Sequence, residues 1–114
     1  MNIKEFSPRV VTFKLAAALE QYELDLRALT EGWLDADAFR RLQQEFGAMR
    51  VLGAALPRLS VSWVAVMVSR NRLLRSLCGR SGSVLAALQE HLAAVEGLRA
   101  RCLRMMGAQT PALA

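Results

Sequence analysis

Signals that open helices and signals that close them recur along this chain, and they divide it into four stretches before any propensity is counted. Ser7-Pro8 offers a capping hydroxyl followed by proline at the first helical position, where a missing N–H costs nothing. Asp35, Ser60 and Ser83 open three further stretches. Gly32 stands where a left-handed residue ends a helix, Gly79 and Gly107 close two further stretches, and Pro57 drives the residue before it out of helical geometry. Phe6 with Val11, Leu34 with Phe39 and Leu59 with Val64 are spaced to pack across helix starts.

Between these marks the apolar residues keep helical spacing. The first stretch runs Leu15, Leu19, Tyr22, Leu26, Leu29, and the second runs Phe39, Leu42, Phe46, Met49, Gly53, Leu56. The fourth runs Val84, Leu88, His91, Val95, Leu98, Cys102, Met105. The pattern predicts an all-α chain with helices over about 8–31, 36–56, 61–78 and 84–106. They form one domain spanning 1–107, followed by a flexible tail over 108–114. Short links make neighbouring helices antiparallel, so the expected architecture is an up-down-up-down four-helix bundle, with a dimer as one way to complete it.

The third stretch departs from the pattern. Trp63 to Val68 is an unbroken apolar run, WVAVMV, and a bundle helix normally keeps one wet face. These residues would also suit a strand, but the only other β-like run, Val10 to Phe13, lies inside a well-capped helical pattern. A helix without a wet face must be covered on all sides, by its own chain, by a second copy in a homodimer or by a partner protein. Trp63, Val64, Val66, Met67 and Val68 are therefore the candidate partner interface.

Composition narrows the class further. Of 114 residues, 54% are hydrophobic and only 6% aromatic, so the core is expected to be mainly Leu, Val and Ala, a balance that argues against disorder. No apolar run approaches the eighteen or so residues of a membrane span. The first candidate signal core, Val10 to Leu19, is broken by Lys14. With two cysteines and no export signal, a cytoplasmic location is expected, with no membrane contact. Thirteen of the fifteen basic residues are Arg, a usage expected of a GC-rich bacterial genome.

Charge is uneven. Residues 1–57 hold seven basic and eight acidic side chains, whereas residues 58–114 hold eight Arg against Glu90 and Glu96. Arg70, Arg72, Arg75 and Arg80 form one cluster and Arg99, Arg101 and Arg104 another. Each lies toward the C-terminal end of its helix, where cations offset the helix dipole. They are also candidate phosphate contacts, so nucleic acid is a possible partner. A helix-turn-helix across Pro57 is disfavoured, because the leading positions of its second helix would be Val61, Trp63, Val64 and Val66, which read no base edge.

No catalytic, cofactor or metal motif emerges. Cys78 and Cys102 fall on the order of 28 Å apart in an antiparallel hairpin, beyond disulfide reach. Glu90 and His91 are adjacent, hence about 100° apart on a helix, unlike the Glu-x-x-His pairs of di-iron bundles. Ser81 and Ser83 lie two turns from His91. Glu20 with Glu23 suits a solvated face, and Asp35 with Asp37 suits a helix start. CGRSGS, residues 78–83, makes an ordinary interhelix turn with at most generic anion affinity. The sequence thus predicts a small non-enzymatic interaction or regulatory protein without cofactors. The alternative is a basic nucleic-acid-associated protein.

Overall fold

A computed structural model of the chain describes residues 7–31, 36–79 and 83–107. It contains α1 (Pro8–Thr30), α2 (Ala36–Ala54), a 3-10 turn (Pro57–Leu59), α3 (Ser60–Leu77) and α4 (Val84–Gly107). No strand occurs among the described residues, so the Trp63–Val68 run is helical.

Two of the expected caps form. The Ser7 hydroxyl accepts the Val10 N–H at 3.2 Å, and the Ser83 hydroxyl accepts the Ala86 N–H at 3.2 Å. Gly79 takes the left-handed φ of +73° that ends α3. Ser60 caps nothing and is itself helical. Its place is taken by the 3-10 turn, whose Pro57 carbonyl accepts the Ser60 N–H and so occupies a donor that a cap would otherwise satisfy. Pro57 holds Leu56 at φ −125°, ψ 80°, which accounts for α2 ending at Ala54 rather than at 56. Phe6, Gly32, Leu34 and Asp35 lie outside the described residues, as do Arg80, Ser81 and the tail 108–114.

The helices pack against one another in the order α2, α1, α4, α3, with only a short contact between α2 and α3. α1 and α4 are antiparallel, with Arg27 meeting Glu96 and Glu23 meeting Arg99. α3 and α4 are opposed in the same sense, with Ser69 meeting His91 and Arg72 meeting Glu90. The chain turns through 116° between α2 and the segment that carries α3, short of a reversal. α3 is thus tilted away from α2, and they meet chiefly where Trp63 stacks on Phe46, ring centroids 5.3 Å apart. Gly53 makes room for that indole: a Cβ there would lie 3.4 Å from it.

The expected stripes form the core. Leu15, Leu19, Tyr22, Leu26 and Leu29 of α1 are buried, with Leu42, Phe46 and Met49 of α2 and Leu88, His91, Val95, Leu98 and Cys102 of α4. α3 contributes Val66 and Leu73 together with two serines, Ser69 and Ser76.

Candidate functional site

The outer face of α3 differs from what its sequence predicts. The apolar run is not covered on all sides. Val66 points into the core with no exposed surface, and Trp63 is half-buried on Phe46 and Gly53. These two belong to the internal packing. Val64, Met67 and Val68 remain open, at 55%, 38% and 43% exposure, and Val61 joins them at 83%. A helix of 18 residues with core contacts on one side cannot also turn every apolar residue of an unbroken run inward. Positions 61, 64 and 68 share the face opposite Val66 and Leu73, so an apolar strip lies along the outside of the molecule.

The arginines divide into engaged and open groups. Arg70 turns inward, its guanidinium 4.2 Å from the centre of the Phe46 ring. Arg72 bonds Glu90 across to α4 at 2.6 Å. Arg99 bonds Glu23 at 2.6 Å, and Arg27 joins Glu23 to Glu96, tying α1 to α4. Arg75, Arg101 and Arg104 are exposed, with no ion pair among the described residues. Of the candidate phosphate contacts among the described residues, Arg70, Arg72 and Arg99 thus hold the chain together or stack within it.

A buried polar chain joins α1, α4 and α3. The Ser69 hydroxyl donates to the Val66 carbonyl at 2.9 Å. Its oxygen then accepts from His91 Nδ1 at 2.7 Å, and Nε2 accepts the Tyr22 hydroxyl proton at 2.7 Å. This donor order assigns the Nδ1–H tautomer, and it satisfies every polar atom of the imidazole. The Tyr22 and His91 rings also meet edge to face, 5.5 Å apart. Burial, reinforced by the positive charge of Arg70, pushes His91 down to about 4. Burial likewise pushes the Tyr22 phenol above its ordinary value, against the pull of Arg70. Serine, histidine and tyrosine in sequence suggest a nucleophile, but the Ser69 proton is committed to a carbonyl and all three side chains are sealed from solvent. The arrangement sets the register of three helices.

The sequence marked His91 as a seam residue and left its partners unnamed. Both carried a signal. Tyr22 sits on a buried stripe, where a phenol needs a polar contact. Ser69 continues the inward series Val66, Ser69, Leu73, Ser76 at 3-4-3 spacing.

A second polar feature lies between α1 and α2. Asp25 Oδ2 and Glu45 Oε2 are buried and lack a hydrogen-bond partner while both carboxyls are ionised. Burial raises the Glu45 carboxyl well above the usual carboxylate range. Hydrogen bonding to Asp25 and its charge add to the shift, while Arg41 opposes it. A proton held on Glu45 and donated toward Asp25 would give both oxygens a partner.

Cys78 is exposed and Cys102 buried, both as free thiols, and burial pushes Cys102 up to about 11. Among the described residues, no group of three His, Cys, Asp or Glu side chains lies close enough to hold a metal ion, and no single helix is long and apolar enough to cross a membrane. Comparison with protein-family models, curated proteins and solved structures finds no match to this chain.

Proposed function

We propose that this chain is a small non-enzymatic interaction or regulatory protein, bacterial and cytoplasmic, that acts through a helix–helix interface on the outer face of α3. The observation that carries this is the exposed strip of Val61, Val64, Met67 and Val68 on a helix whose other side is fully engaged. Apolar side chains at i, i+3 and i+7 are the anchors by which one helix receives another. In this account the four helices form an up-down-up-down bundle, tilted at α3, whose open face is covered by a second copy or a partner protein. No cofactor is involved.

The experiment is Val64→Glu and, separately, Met67→Glu, with mass in solution read by light scattering and helix content by circular dichroism. Both side chains are exposed, so the variants are expected to keep the wild-type helix content. Loss of an oligomer or of partner binding supports the interface, and unchanged assembly refutes it.

A basic nucleic-acid-associated role is the second reading, supported by the exposed Arg75, Arg101 and Arg104. It requires an affinity for duplex DNA or RNA that falls steeply with salt and drops when these arginines are neutralised.

A further inference from the structure

We propose that the outer groove between α3 and α4 docks an acidic amphipathic helix supplied by another protein. Val61, Val64 and Val68 receive its apolar face, and Arg75 and Arg101 receive carboxylates toward its two ends. This names the partner class for the α3 interface and rests on that reading.

The groove follows from the helix register. With Ser69 opposite His91 and Arg72 opposite Glu90 in an antiparallel pair, Gly97 comes level with Val64 and Arg101 level with Ser60. Ala65 and Gly97 are both exposed, and a Cβ added at Gly97 would meet nothing within 4 Å. A glycine inside a helix costs about 1 kcal/mol relative to alanine, and no internal neighbour requires this one. The two small residues keep the groove low beside the valines, where another backbone can approach.

Charge selects the occupant. From Pro57 to Gly79 there is no Asp or Glu, while Arg58, Arg72 and Arg75 lie exposed along the segment. A second copy packed antiparallel about the midpoint of Val64 and Val68 would bring Arg75 of each chain beside Arg58 of the other, like charge against like. The glutamate nearest this face, Glu90, is already held by Arg72 at 2.6 Å. The valine strip thus runs between an open arginine from α3 at one end and one from α4 at the other. From Val61 to Arg75 it spans roughly 21 Å, about four helical turns. A helix of that length with an apolar stripe and flanking carboxylates complements both the shape and the sign. Nucleic acid would offer the charge but nothing for the valines.

The test uses the full chain and two synthetic helical peptides of about four turns. They share one leucine stripe and carry either glutamate or lysine at the flanking positions. Fluorescence anisotropy is expected to show saturable binding of the glutamate peptide alone. Val64→Glu abolishes it, Gly97→Leu weakens it about tenfold by filling the groove, and Arg75→Glu or Arg101→Glu weakens it about threefold. Circular dichroism checks that each variant keeps its helix content. Equal binding of the lysine peptide, indifference to Gly97→Leu, or displacement of the glutamate peptide by duplex DNA overturns the proposal. Self-association of the wild-type chain that Val64→Glu removes, without peptide binding, overturns it too but leaves the α3 interface standing with a second copy as occupant. If neither peptide binding nor self-association is seen, the acidic-helix proposal falls, and the α3 interface is decided by whether Val64→Glu and Met67→Glu abolish partner binding.

Discussion

Acidification should destabilise this fold through one residue. His91 is the only histidine and has no exposed surface. Its Nε2 is occupied by the Tyr22 proton and its Nδ1 proton by Ser69, so a second ring proton must reverse the Tyr22 bond, deprive the buried phenol proton of its acceptor and place a charge in the core near Arg70. The folded value lies at about 4 against an ordinary 6.5. At about 1.4 kcal/mol per pH unit, the neutral imidazole contributes on the order of 3 kcal/mol. The sign follows from which state binds protons first: below 6.5 the unfolded chain protonates and the folded chain does not. The contribution is therefore complete above 6.5, declines as pH falls toward 4 and is gone below. Urea unfolding at a series of pH values measures it, with Tyr22→Phe/His91→Leu as the comparison that removes the titrating ring without orphaning Nε2. The double variant should lack about 2–3 kcal/mol of the acid loss down to pH ~4.5. The lone imidazole signal in a proton NMR titration checks the same quantity directly. An acid slope shared by the double variant, or a folded imidazole titrating near 6.5, would refute the reasoning.

Tyr22→Phe alone leaves Nε2 buried without a donor and should cost about 1–3 kcal/mol, with a positive coupling to His91→Leu in a double-mutant cycle. Glu45→Gln should flatten the response to alkali. The raised Glu45 carboxyl stabilises the protonated pair at low pH, and that contribution is lost as pH climbs beyond the ordinary carboxylate range, whereas the amide keeps donating to Asp25. Unfolding midpoints of wild type and variant should diverge as pH rises, and parallel curves would count against the shared proton. Glu23→Gln removes the carboxylate that gathers Arg27 and Arg99 over the α1–α4 seam, and thermal unfolding should show a loss of about 1–3 kcal/mol.

The four helices were legible because their ends are local events: Ser7, Ser83 and Gly79 act on their own backbone within one turn. Ser60 failed as a cap for a reason that is also local but cooperative, since the turn begun by Pro57 draws it into helical φ and ψ, and a cap must lie outside them. The stripes of α1, α2 and α4 were legible from spacing alone. α3 was not, because its run of apolar residues carries no phase. Only the position of Val66 and Ser69 relative to His91, a tertiary fact, decides which valines turn outward. The tilt of α3 depends on Trp63 finding Phe46, and no short link encodes that. The arginine clusters were visible as composition. Which of them pair internally depends on Glu23, Glu90 and Phe46, which lie between 18 and 76 residues away or on another helix.

The claim that α3 carries the functional surface is tested most directly by tagged purification from the protein's own cells, comparing wild type with Val64→Glu, with and without nuclease, by light scattering and mass spectrometry. The account predicts a dimer or a protein partner that survives nuclease and is missing from the Val64→Glu preparation. Material that is lost on nuclease treatment and recovered equally by both chains would contradict it and move the functional surface to Arg75, Arg101 and Arg104.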